Sequence, residues 1–265
     1  MPSRANIAAL KSLGVRAVLA FSAVGSLREE IAPGDFILPT QIIDRTKGVR
    51  PASFFEGTSV VAHAAFGEPF ARGLVAWLES RVRAVLADEG AKAEQAGRRA
   101  PQLHTEKCIV CMEGPQFSTR AESRMYRAWG ADVINMSVLP EAKLAREAEL
   151  RCVPVRDRRL LGFLTRSGCF CSYALIATST DYDSWREDEA SVTAADVFKT
   201  LKENARLSRL VAARVLEELH GATVEGSLLK EEQGSMQYSI MPRSEQQKPE
   251  DRQKLAYILP TYFSE

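Results

Sequence analysis

Short apolar runs alternate along this chain with longer stretches in which apolar positions recur every three or four residues. That alternation predicts an α/β protein, with buried strands feeding amphipathic helices. Ala5 to Leu13 reads as a short helix stopped by Gly14, and Arg16 to Phe21 (RAVLAF) as a buried strand. A turn, Ser22-Ala23-Val24-Gly25-Ser26, follows it, and Pro33-Gly34 signals another before a second strand at Asp35 to Ile43. Leu74, Val75, Leu78, Val82 and Val85 share one helical face between Pro69 and about Glu89. Beyond a polar loop, Gln95 to Pro101, the pattern predicts a strand over Thr105 to Glu113 and a helix over Thr119 to Trp129. A short strand at Asp132 to Met136 and a helix from Val138 to about Leu150 come next, then a strand at Ser172 to Thr178 (SYALIAT). Thr193 to His220 is a long amphipathic helix with Val197, Leu201, Ala205, Ala212, Val215 and Leu219 on one stripe. The chain then turns polar. Arg243 to Lys254 is expected at the surface, and Ala256 to Pro260 docked on the body.

Composition narrows the function classes. The 265 residues are 45% hydrophobic and 26% charged, enough for a core that needs no disulfide or metal staple. The net charge of +1 argues against a dedicated nucleic-acid binder, which carries a basic excess. No apolar run approaches the roughly 18 residues that a membrane helix needs. Met1 to Asn6 has no apolar segment of the kind that opens a signal peptide. An odd set of five cysteines (Cys108, Cys111, Cys152, Cys169 and Cys171) fits reduced thiols in the cytosol. Cys108-Ile-Val-Cys111 has half the spacing of a zinc site, but i and i+3 on a strand face opposite ways, so buried strand cysteines are expected and no metal. One stretch fits neither period. Arg151 to Cys171 holds five arginines and one acid, a net of +4 that leaves −3 for the rest of the chain. It reads either as a cationic patch for RNA or phosphate or as an added surface loop.

Candidate chemistry gathers where strands end. Ser22 to Ser26 follows a buried strand, where small residues leave backbone N–H groups free for an anion, although an ordinary turn has the same composition. After Glu113, Gly114-Pro115 bends the chain away, offering Phe117 to a flat ligand and Ser118 as a hydroxyl. Ser118 or Thr119 equally suits the N-cap of the next helix, with Glu122 in its first turn. Asn135-Met136-Ser137 closes a strand with a methionine beside a polar serine. Asp181 and Asp183, at i and i+2 beyond an apolar strand, point to one face and are suited to meet an exocyclic amine and a ring nitrogen. A metal site or a capping turn are the rivals, and no histidine or third acid stands nearby in sequence. His63, His104 and His220 are scattered and read as surface or packing residues.

Together these segments resemble the purine nucleoside phosphorylase superfamily and, within it, the eukaryotic 5′-methylthioadenosine phosphorylases. The resemblance runs through Ser26-Leu27-Arg28-Glu29-Glu30-Ile31, Pro33-Gly34-Asp35, Ile43-Asp44-Arg45-Thr46, Met112 to Ser123, Trp129 to Met136, Thr180 to Trp185 and Thr200 to Asn204. It covers about residues 1–150 and 172–220. It implies a single-domain α/β fold over 1–220, a twisted mixed sheet flanked by helices, with 221–265 as a C-terminal polar extension packing on the domain. It implies a homotrimer, in the cytoplasm and also the nucleus, that cleaves methylthioadenosine with phosphate as co-substrate. No cofactor, nucleic acid or membrane enters. By the same resemblance Asp181 protonates adenine at N7 and Asp183 accepts from its 6-amino group. Phe117, Ser118, Met136, Tyr182, Val24, Gly25, Ala194 and Val197 line the nucleoside site. His63 reaches the methylthio pocket of a neighbouring subunit, and Ser22, the Ala23 backbone and Ser137 hold phosphate. Members for 6-oxopurines carry Asn where Asp181 stands and Glu where Ser118 stands, so this chain has the 6-aminopurine set.

Two departures stand against that pattern. The family has a first strand, a Gly-rich phosphate loop and an Arg-His pair before the segment matching Met1-Pro2-Ser3. Their absence leaves an edge or gap in the sheet. The family also passes directly from the helix matching Ala145 to Glu149 into the strand matching Tyr173 to Thr178, so about 151–171 is an insertion, with the irregular composition of translated non-coding sequence. The competing function is therefore a catalytically impaired relative that only binds nucleoside or associates with intact subunits.

Overall fold

A computed structural model describes residues 2–15, 17–150, 173–186, 194–224, 235–245 and 248–263. The arginine-rich stretch and Cys152, Cys169 and Cys171 lie outside those residues. The helices are α1 (Ser3–Ser12), α2 (Arg72–Gln95), α3 (Arg120–Ala128), α4 (Val138–Glu147), α5 (Ala194–Val224), α6 (Pro249–Ala256) and α7 (Pro260–Phe263). The strands are β1 (Val18–Ser26), β2 (Phe36–Asp44), β3 (Leu103–Cys111), β4 (Val133–Asn135) and β5 (Tyr173–Tyr182).

Among the described residues the five strands close on themselves in the order β1-β4-β3-β2-β5. β1 runs parallel to β5, and β3 parallel to both β2 and β4, while β1–β4 and β2–β5 are antiparallel. The sheet is mixed, as expected. The expected edge or gap is not found among the described strands, because β1 pairs directly with β4 through Gly25–Ile134 and Ser26–Val133 and closes the sheet. The serine-rich turn expected at Ser22 to Ser26 is strand instead. Its backbone pairs with β5 through Ser22–Ala177 to Ser26–Tyr182, a ladder that small polar side chains do not advertise. β5 likewise runs past Thr178 to Tyr182, which places both aspartates at its end.

β5 carries a continuous apolar run because it is covered on both faces: Tyr173, Ala174, Leu175, Ile176 and Ala177 are all buried. α2 and α5 pack on each other and on β5, burying Leu74, Leu78, Val82, Val211 and Val215. Truncating a fully buried leucine such as Leu78 to alanine removes about 2–5 kcal/mol. Phe70 stacks on Tyr173 at 6.1 Å, and the Tyr173 hydroxyl donates to Glu141 at 2.8 Å. Just before β2, Asp35 is fully buried and takes hydrogen bonds from Arg99, His104 and the Gln102 and Ala32 amides. Burial pushes its carboxyl up, but those donors outweigh it and hold it below the ordinary range. His104 is thus a structural partner.

Cys108 is half-buried and Cys111 buried, both free thiols, and burial pushes Cys111 up to about 11. Among the described residues no cluster of metal-ligating side chains occurs, and no helix is long and apolar enough to cross a membrane. The C-terminal stretch is not uniformly superficial. Met236, Leu255, Ile258, Leu259 and Phe263 join the core, and Asp251 of α6 is buried, accepting from the Ser59 amide at 2.7 Å.

Candidate active site

The ends of β1, β3, β4 and β5 and the loop before α3 enclose a cleft of about 230 Å³. Ser22, Ala23, Val24, Gly25, Phe117, Ser118, Met136, Ser137, Asp181 and Asp183 all line it, joined by Met112, Ile134, Asn135 and Thr180. Tyr182 does not. Strand alternation turns it to the other side, where its hydroxyl donates to Glu29 O at 3.2 Å and the Arg186 guanidinium lies 4.3 Å from its ring centroid. His63 is exposed and away from the cleft, with its amide donating to Ser239 O at 2.8 Å. Ala194 and Val197 fall at the start of α5, and their side chains lie outside the described set.

Ser118 and Thr119 take separate roles. Thr119 caps α3: its hydroxyl accepts from the Glu122 amide at 3.2 Å, while Glu122 accepts from the Thr119 amide at 2.8 Å. Ser118 is left to face the cleft, its hydroxyl 3.4 Å from the Met112 sulfur. Phe117 beside it is 51% exposed, an open aromatic face at the mouth. Gly114 sits at φ 65°, and a Cβ there would stand 2.7 Å from the Met136 sulfur. The left-handed backbone favours glycine, and a side chain there would also push the Met136 thioether aside.

The two carboxylates define the opposite wall. Asp183 is 5% exposed; its amide donates to Ser26 O at 3.0 Å, and its Oδ2 accepts from the buried Ser123 hydroxyl. The Thr180 hydroxyl lies 2.6 Å from Oδ2 of Asp181 and 3.2 Å from Val24 O. Burial, reinforced by the negative charge of Asp183, pushes the Asp181 carboxyl up to about 6 against the opposing Thr180 bond. Asp183 is also raised, by burial first, with Ser123 and the Ser184 amide pulling it back and Glu122 adding to the rise. A carboxyl that keeps its proton up to about pH 6 beside a hydrogen-bonded carboxylate forms a donor–acceptor pair.

At the other end Ser22 and Ser137 hydroxyls lie 2.8 Å apart, and the Asn135 amide nitrogen approaches them at 3.2 and 3.3 Å. Behind this polar group Arg50 donates to Met136 O at 2.7 Å. Glu113 pins the Arg50 segment by accepting from the Lys47, Val49 and Arg50 amides, with its own carboxylate 3.5 Å from Arg50 Nε. Among the described residues that line the cleft, none is cationic. Met112, Ile134, Thr180, Ser123, Arg50 and Glu113 are further residues of the site for which the sequence alone raises no functional expectation. The strand-end position of Met112 and Thr180 was available as a signal; the contacts of Ser123 and Arg50 are long-range and leave none.

Residues 1–219 match the phosphorylase superfamily. The chain belongs to that superfamily. It is 55% identical to the S-methyl-5′-thioadenosine phosphorylase of Coprinopsis cinerea, over 100% of this chain and 78% of that protein. It is 50% identical to S-methyl-5′-thioadenosine phosphorylase 1 of Puccinia graminis, again over 100% and 78%. Among solved structures, a methylthioadenosine phosphorylase from an antarctic soil metagenomic library superposes with a TM-score of 0.73 at 34% identity, over 98% of this chain and 77% of that one. The methylthioadenosine phosphorylase of Schistosoma mansoni in complex with adenine gives 0.70 at 28% identity, over 91% and 78%.

Proposed function

We propose that this chain phosphorolyses 5′-methylthioadenosine to adenine and 5-methylthioribose 1-phosphate. The observation that carries this reading is the pair Asp181 and Asp183, raised carboxylates on one wall of the cleft that faces Phe117. Phosphate attacks the anomeric carbon as the bond to adenine N9 breaks through an oxocarbenium-like state. The electron pair leaves with the base, and Asp181 delivers a proton to N7, a step for which a positioned acid contributes roughly 10²–10⁴-fold. Asp183 accepts from the 6-amino group, Phe117 stacks on the base, and Met136 lies along the ribose with Val24 and Gly25 beneath. Ser22, the Ala23 backbone and Ser137 hold phosphate, with no further cofactor. Ala194 and Val197 complete the nucleoside contacts, and His63 serves a neighbouring subunit's methylthio pocket in a homotrimer. The setting is cytoplasmic and also nuclear, apart from nucleic acid and membrane.

A described lining that holds two carboxylates and no cation favours a second reading, in which the chain binds the nucleoside but holds phosphate too weakly for turnover. Adenine release from methylthioadenosine, measured on the purified chain with and without phosphate, separates the two. Phosphate-dependent release supports phosphorolysis. Binding without release leaves the second reading, and neither binding nor release sinks both.

A further inference from the structure

Two carboxylates share one cleft, and their neighbours divide the work between them. Asp183 has two donors committed to it, the Ser123 hydroxyl and the Ser184 amide. Asp181 has one hydroxyl, Thr180, which also stands within reach of Val24 O. Ser123 is fully buried and one turn into α3, where its amide donates to Thr119 O at 3.0 Å. The capping box at Thr119 and Glu122 sets that turn, and the Ser26 carbonyl fixes the backbone of Asp183. Hydrogen bonds to a carboxylate favour its ionised form, so a proton entering the pair goes to the less solvated partner, Asp181.

We infer that Ser123 is a positioning residue that keeps Asp183 an anionic acceptor and so makes the site selective for 6-amino over 6-oxo purines. This rests on the reading of the cleft as an adenine site. An anionic Asp183 accepts from an exocyclic amine and repels the oxygen of a 6-oxopurine. A protonated Asp183 does the reverse. The charged groups that face Asp183 are Asp181 on its own strand and Glu122 from α3; the described cleft residues of β1, β3 and β4 are uncharged. Both negative neighbours push a proton towards Asp183, and the Ser123 hydroxyl opposes them.

The test titrates the whole chain, wild type, Ser123→Ala and Ser123→Thr, with adenine and hypoxanthine from about pH 5.5 to 8.5, spanning the raised carboxyl range. Asp181 is the same in all three chains, so a change between them in the ratio of the two affinities reports on Asp183. Wild type is expected to prefer adenine throughout. In Ser123→Ala that preference falls about tenfold at the acidic end, returns as pH rises, and is restored at all pH values by Ser123→Thr. A wild-type preference that Ser123→Ala leaves unchanged at every pH, or a loss of both bases in equal measure, overturns the proposal and spares the adenine reading. Binding of neither base by wild type overturns both. If the alanine variant does not fold, Ser123→Cys, similar in size and a weaker donor, carries the same comparison with a smaller shift.

Discussion

Gly25 passes so close beneath Asp181 that a Cβ on it would stand 3.1 Å from the Asp181 Oδ1. The same Cβ would meet Ile134 Cγ2 at 3.2 Å and Asp183 Cβ at 3.4 Å, so it is crowded on several sides. Gly25→Ala therefore displaces the Asp181 carboxyl by a few tenths of an ångström. Adenine affinity is expected to fall about tenfold with little loss of melting temperature, since misplacement of a reacting group costs far more in function than in stability. Calorimetric titration and a thermal melt check both halves.

Asp181 sets the pH dependence. Its carboxyl is pushed up to about 6, so it holds a donatable proton below that pH and loses it above. The kcat/KM profile should fall as pH rises through about 6, and Asp181→Asn, whose amide donates at every pH, should lack that limb. The same variant should lower turnover of adenine nucleosides and move preference towards 6-oxopurines; an unchanged ratio refutes the role given to Asp181. The folded state binds this proton more tightly than an ordinary carboxyl of pKa about 4. Stability is therefore lost as pH rises from there through about 6, and Asp181→Asn should melt higher than wild type at neutral pH.

Thr119→Ala removes the cap of α3 and is expected to cost about 1 kcal/mol in urea unfolding. Phe117 and Ser118 lead directly into that cap, so nucleoside KM should rise as well. A variant as stable as wild type would show that the box contributes nothing.

Arg50→Met leaves the part-buried Met136 carbonyl without its 2.7 Å donor, a loss of about 1 kcal/mol. Because Ser137 is the next residue, KM for phosphate should rise more than KM for the nucleoside. Arg50→Lys should recover part of the loss. Steady-state kinetics with each substrate varied in turn provide the check.

What sequence could and could not convey follows from the range of the contacts involved. Asp181 and Asp183 stand out because two acids end an otherwise apolar strand, and alternation alone places them together and Tyr182 opposite. The Thr119 cap was ambiguous because Ser118 carries the same hydroxyl; only the reciprocal bond with Glu122 distinguishes them. Ser22 to Ser26 lacks the β-branched run that marks a strand, and its pairing comes from β4 and β5, more than a hundred residues away. Ser123 and Arg50 look like any serine or arginine of a polar surface. Their burial against Asp183 and Met136 is decided by how α3 and the segment after β2 fold across the strand ends.

The closure of the sheet lies within the cleft itself. β1 meets β4 through Gly25–Ile134 and Ser26–Val133, and the residues proposed to hold substrate lie on both sides of that short seam: Ser22 and Val24 on one, Met136 and Ser137 on the other. A bound nucleoside is then a crosspiece as well as a reactant, tying together two strands that share few rungs of their own. Ligand should slow amide hydrogen exchange at Gly25, Ser26 and Ile134 ahead of Val18 to Phe21, further along the β1–β5 ladder, because it spans the short β1–β4 seam.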